Sequence, residues 1–126
     1  MAFPDIPAHW IWRAGAVQAG PAVVVDMDGV LSDASGRQHY LEGPMPCWDA
    51  FFDACGEDEP IGATVALLRL LDPSLAIVLL TARPVRVRRQ TLDWLQRHPV
   101  RWDLLIMRDE DDWSSSHHFK QVELGE

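Results

Sequence analysis

The feature that most constrains this chain is a short apolar run that stops on two carboxylates. Residues 22–27 read AVVVDM, and Asp28-Gly29 follow. A β-branched run of this length, bounded by Pro21 and Gly29, suits a strand buried on both faces, which is the habit of parallel sheets. An ordinary strand followed by an Asp-Gly turn accounts for Asp28 and Gly29. It leaves Asp26 unexplained, a carboxylate at the end of a buried strand. Two carboxylates brought together repel, and a hard divalent cation with oxygen ligands relieves that repulsion.

The rest of the chain supplies the sheet for that strand. Residues 60–71 place Ile61, Val65, Leu68 and Leu71 at helical spacing, and Asp72-Pro73 stop the pattern. Residues 75–80 form a second apolar run. Pro84 is read as opening a helix to about Arg97, with Val87, Thr91, Leu92 and Leu95 inward. A third run, residues 102–107, completes a strand-helix-strand-helix-strand series. That alternation predicts an α/β fold with a parallel sheet, right-handed crossovers and helices on both faces. Residues 29–60 carry mostly turn signals, with a short helix near residues 48–55, and are read as a flap inserted after the first strand. Residues 1–20, with Pro4, Pro7, Gly15 and Gly20 around Trp10, Ile11 and Trp12, are read as an irregular arm. The domain itself is placed at residues 21–126.

Charge and cysteine content narrow the function classes. The formal net charge is -8, so no long-range field gathers nucleic acid, and an anionic substrate has to be met locally. Seven of the eleven cations lie between Arg83 and Arg108, which predicts one basic face. Cys47 and Cys55 suit neither a disulfide framework nor a zinc knuckle, and a reducing cytoplasm is expected. No apolar run approaches the roughly 20 residues of a membrane helix, so no membrane partner is expected.

Asp26-Met27-Asp28-Gly29-Val30-Leu31 at the end of an apolar strand resembles the first signature of the haloacid dehalogenase (HAD) hydrolase superfamily, and Thr81 in IVLLTARP resembles the second. Lys120 is the best match to the third. The second half is similar to the phosphatase domains of polynucleotide kinases, through Arg83-Pro84, Arg88, Thr91, Trp94-Leu95, Asp103, Leu105, Met107-Arg108, Asp111 or Asp112, and Lys120. The likeness runs from about Ala22 to Lys120. It implies that Asp26 attacks phosphorus and that Asp28 protonates the leaving oxygen, then activates water. Thr81 and Lys120 would bind the phosphoryl oxygens, and Arg83, Arg88 and Arg108 the substrate. Magnesium would be held by the Asp26 carboxylate and the Asp28 backbone carbonyl. The implied substrate is a phosphorylated small molecule, a nucleotide or a nucleic-acid 3′-phosphate end.

An acidic fourth signature on a further strand is also implied, and QVELGE after Lys120 leaves no room for it. A domain cut short at its C-terminal side is therefore expected. The first strand would then lack one neighbour, and homo-oligomerisation through its exposed edge is expected. A catalytically weak or non-catalytic regulatory domain is the alternative reading. A receiver-type signalling module is disfavoured because Met107 and Arg108 stand where its phosphoacceptor would end the third strand. His39, Tyr40 and Trp48 in the flap are either substrate-gating residues or the flap's own filling, and adjacent His117-His118 are expected to be solvated.

Overall fold

The computed structural model describes residues 9–15 and 20–109. Four strands form the main sheet: β1 (Trp10–Trp12), β2 (Ala22–Val25), β5 (Ala76–Pro84) and β6 (Leu104–Arg108), in the order β1-β6-β5-β2. Strand β2 runs parallel to β5, and β5 parallel to β6, whereas β1 joins the far side of β6 antiparallel. The sheet is thus α/β and mostly parallel, as expected. A two-stranded hairpin, β3 (Ser32–Asp33) with β4 (Glu59–Pro60), closes the base of the flap.

The chain passes from β2 to β5 through helix α2 (Gly62–Leu70), and from β5 to β6 through helix α3 (Arg88–Arg97). Both steps move the same way across the sheet, so right-handed crossovers bring both helices to one face. Alternate strand residues confirm it. Val23, Val25, Ile77, Leu79, Leu105 and Met107 pack with Val65 and Leu68 of α2 and with Trp94 and Leu95 of α3. The opposite face carries Trp10, Trp12, Val78, Leu80, Leu104 and Ile106, a cluster made of strand residues. Among the described residues the expected helical cover is therefore seen on one face.

Three expectations are corrected. Trp10–Trp12 is an edge strand in register with Leu104 to Ile106, so this part of the arm is regular. Three residues are too few to display an alternation; the pairing comes from β6. Strand β2 is not buried on both faces, since Val24 is 44% exposed and β5 is its one partner among the described residues. Pro84 does not open the helix. Its backbone is extended, its Cα pairs with Arg108, and a 3-10 turn at Val85–Val87 precedes α3. β-branched Val85 and Val87 around Arg86 favour that delay.

Within the flap a 3-10 segment at Ala34–Leu41 leads to helix α1 (Trp48–Asp53), and a 3-10 turn at Cys55–Glu57 leads back to β4. No helix among the described residues is long and apolar enough to cross a membrane.

Candidate active site

Asp26 follows directly on β2, at the carboxyl end of a parallel strand, where open α/β sheets place their ligands. Its Oδ1 accepts the Met27 N–H at 2.8 Å. There the chain leaves the strand for a tight turn in which the N–H groups of Val30, Leu31 and Ser32 all point to the Met27 carbonyl, at 3.2, 2.8 and 2.9 Å. Gly29 makes this possible. Its φ of +84° lies in the left-handed region that side chains avoid. The turn carries Asp28 away from the plain strand alternation and aims it at two arginines.

Those arginines come from distant parts of the chain. Arg83, fully buried near the end of strand β5, donates to Asp28 Oδ1 from Nη2 at 2.7 Å and from Nε at 3.1 Å. Arg37, 2% exposed in the flap, donates to the same oxygen from Nη2 at 2.6 Å. Every one of these bonds lands on Oδ1. Burial pushes the Asp28 carboxyl upward, but the charges and hydrogen bonds of Arg83, and then of Arg37, outweigh it and hold the group below its ordinary value.

Asp58 closes the cluster. Arg37 grips it with Nε at 2.9 Å to Oδ1 and Nη2 at 2.7 Å to Oδ2, Ser32 Oγ donates to Oδ2 at 2.6 Å, and Arg83 Nη2 stands 3.6 Å away. The Asp58 carbonyl accepts the indole N–H of buried Trp94 at 2.7 Å. Arg83 is braced further by Thr91, whose hydroxyl accepts from Nη1 at 3.2 Å and donates to the Val87 carbonyl at 2.9 Å. Arg37 also donates to the Phe51 carbonyl at 3.0 Å and lies 4.4 Å over the Phe51 ring. The flap is therefore bolted to the turn that carries Asp28.

The remaining expected residues fall as follows. Thr81 is buried in β5, with its Oγ accepting the Arg83 N–H at 3.1 Å. It stands inside the strand, which continues to Pro84. Arg88 is exposed at the start of α3, and Arg108 is half-buried at the end of β6. Asp103 ties strands together, its carboxylate accepting the Ile77 N–H at 2.8 Å. Lys120, Asp111, Asp112, His117 and His118 lie outside the described residues. Arg37, Asp58 and Ser32 were not anticipated as site residues.

The expected single basic face is not formed by these arginines. Arg83 is committed to Asp28, and Arg86 pairs with Asp49 and Asp53 of α1. Arg97 donates to the Gly56 carbonyl, while Arg101 donates to the carbonyls of Leu68, Leu71, Asp72 and Leu75. Most of the cluster fastens backbone and flap, and Arg88 and Arg89 stand exposed.

A carboxylate-bearing turn at the carboxyl end of a parallel strand, with a flap inserted behind it and a buried Thr on the neighbouring strand, sits on a sheet whose fold is HAD-like, and it is in fold that the chain resembles that class. Solved structures similar to it include a chain of the Pnkp1/Rnl/Hen1 complex, at TM-score 0.67 and 26% identity over 84% of this chain and 34% of that one. A chain of the Pnkp1/Rnl/Hen1 RNA repair complex matches at TM-score 0.68 and 22% identity, over 97% of this chain and 36% of that one. The class C acid phosphatase from Bacillus anthracis with tungstate bound matches at TM-score 0.62 and 18% identity, over 88% and 50%. The chain thus spans between about a third and a half of the length of these structures. No protein-family model and no curated protein sequence matches it.

Proposed function

We propose that this chain is a phosphomonoester hydrolase that works through an aspartyl-phosphate on Asp26, with a phosphorylated nucleic-acid end or a nucleotide as its substrate. The observation that carries the reading is the asymmetric grip on Asp28: two buried arginines hold Oδ1 and leave Oδ2 for a proton, on the turn that follows Asp26. The nucleic-acid substrate is supported by the likeness to the RNA repair complex.

In the first step an Asp26 carboxylate oxygen bonds to phosphorus, the ester P–O bond breaks, and the leaving oxygen takes its proton from Asp28. In the second, a water oxygen attacks phosphorus, its proton passes to Asp28, and inorganic phosphate leaves with Asp26 restored. A phosphate dianion arriving beside Asp28 works against the two guanidiniums and raises the carboxylate's affinity for a proton. The Thr81 hydroxyl is the strand-borne donor for a phosphoryl oxygen, and Lys120 is assigned the same task.

A magnesium site fits the donor set in kind. Asp26 supplies a carboxylate and Asp28 a backbone carbonyl, both hard oxygens, and magnesium is commonly held by one or two carboxylates together with substrate phosphate and water. Among the described residues no group of three acidic, His or Cys side chains surrounds one point. Bound there, magnesium would neutralise charge on the transferring phosphoryl group. The test is magnesium-dependent release of phosphate from a panel of 3′-phosphorylated oligonucleotide, mononucleotides and sugar phosphates. A preference for the nucleic-acid end supports the reading, and a clear preference for sugar phosphates overturns its substrate half.

A further inference from the structure

The buried cluster beside the turn holds two positive and two negative side chains, and the proposed chemistry uses one of the four directly. Arg37 and Arg83 face Asp28 on one side and Asp58 on the other, with the Asp58 side chain only 5% exposed. Two guanidiniums facing one carboxylate would carry a net buried charge, which proteins do not tolerate cheaply. Asp58 brings the cluster to neutrality. It also fixes geometry, because Arg37 is held in a fork by both Asp58 oxygens, and Ser32 Oγ, which donates to Asp58 Oδ2, accepts from Arg83 Nη2 at 3.2 Å. With both cations anchored from behind, each reaches Asp28 through Oδ1 alone.

We propose that Asp58 is a positioning residue: through Arg37 and Arg83 it confines the grip on Asp28 to one oxygen, so that the other faces the leaving group. Removing its charge frees the two guanidiniums to re-pair with Asp28 through both oxygens, as Arg forks do with a lone carboxylate. The Asp28 proton is then blocked or misdirected while Asp26 and Thr81 keep their places. The inference rests on the phosphatase reading above. It also makes the flap a working part, since Asp58 sits on the return strand side of the flap, where its carbonyl is fixed by Trp94.

A positional role of this kind has a signature that a structural role lacks. Departure of an alkoxide needs a proton from a general acid, whereas departure of p-nitrophenolate needs little help. The experiment compares kcat/KM for a nucleoside 3′-phosphate and for p-nitrophenyl phosphate in the parent chain, Asp58→Asn and Asp58→Glu, with magnesium present and folding checked by melting. Misplacement of a catalytic group by about 1 Å costs on the order of 10²-fold. The expected result is a fall of roughly that size in the alkyl-to-aryl ratio for Asp58→Asn, carried by kcat, with partial recovery in Asp58→Glu. Should Asp58→Asn fail to fold, Ser32→Ala loosens the same carboxylate without removing an ion pair, and a smaller fall in the ratio is expected. Equal losses on both esters in whichever of these variants folds would overturn the inference and leave the phosphatase reading standing. A parent chain inactive on both would overturn the two together.

Discussion

Arg37 Nη2 lies 2.6 Å from Asp28 Oδ1, which joins a flap residue to a catalytic candidate nine positions earlier in the chain. The bond makes flap and turn a single mechanical unit. Because Arg37 also grips Asp58 and the Phe51 carbonyl, one side chain ties together the Asp28 turn, helix α1 and the return of the flap.

Removing that side chain is therefore expected to be costly. In Arg37→Ala the buried Asp58 keeps Ser32 as its close donor and loses its fork, and breaking a buried pair in this way costs roughly 3–5 kcal/mol. Total stability is about 5–15 kcal/mol, so the variant should melt far below the parent. Arg37→Lys keeps charge without the planar fork and should recover only part of the loss. Urea denaturation checks it, and a change under about 1 kcal/mol for Arg37→Ala would contradict the network.

The nucleophile gives the second prediction. In Asp26→Asn any phosphatase activity should fall by roughly 10²-fold or more, because an amide neither attacks phosphorus nor helps neutralise a cation. Asp28→Asn should also be severe, with a larger loss on alkyl than on aryl esters. Retention of activity within about threefold of the parent in Asp26→Asn would remove the aspartyl-phosphate mechanism.

The contrast between Asp28 and Arg37 shows how much was legible in the sequence. Asp26, Asp28 and Gly29 carry a local requirement, a turn at a strand end, and local requirements are written in adjacent residues. Arg37 sits in SGRQHYLEGP, where turn formers hide any period, and Asp58 in GEDEP, where an acidic run looks solvated. Their meeting is a tertiary event set by the hairpin of β3 and β4, which brings Ser32 and Asp33 opposite Glu59 and Pro60. The one clue was a lone arginine amid turn residues in an acidic segment. Helices α2 and α3 were legible because their apolar spacing repeats over two or more turns. Strand β1 and the extension of β5 to Pro84 were not, since each is decided by pairing with β6.

Acid should weaken the fold through Asp28. Its folded-state carboxyl sits below the ordinary value of 3.8, so the group's stabilising contribution is fully present above that value and is lost as pH falls through the lower folded value. The melting temperature should accordingly decline below about pH 4. Asp28→Asn begins less stable and should show a shallower acid limb. Parallel acid limbs in the two proteins would show that Asp28 is not the group responsible.

Thiol labelling offers a view of flap opening. Cys47 is exposed, whereas Cys55 is fully buried in the flap's return, and burial pushes its thiol up against the opposing charges of Arg83 and Arg37. A thiol reagent at neutral pH should modify Cys47 promptly and Cys55 only as the flap detaches. Arg86→Ala, which releases Asp49 and Asp53 of α1, should speed Cys55 labelling while leaving Cys47 labelling as it was. Equal labelling rates for the two thiols in the parent chain would mean that the flap is not held as described.

Salt dependence tests how a polynucleotide end would be held. Arg83, Arg86, Arg97 and Arg101 are committed to carboxylates and carbonyls of the chain itself, and Arg88 and Arg89 remain as exposed cations in that part of the sequence. Each phosphate neutralised on a single strand contributes about -0.7 to the slope of log K against log salt, so two such contacts give a slope near about -1.4. Binding should therefore be local and weakly salt-dependent, in keeping with a net charge of -8 that repels the rest of the strand. Arg88→Gln with Arg89→Gln should flatten the slope further, and lengthening the oligonucleotide beyond a few nucleotides should add little affinity. A measured slope steeper than about -3 would require several more phosphate contacts than these residues provide, and would place the strand on a different surface.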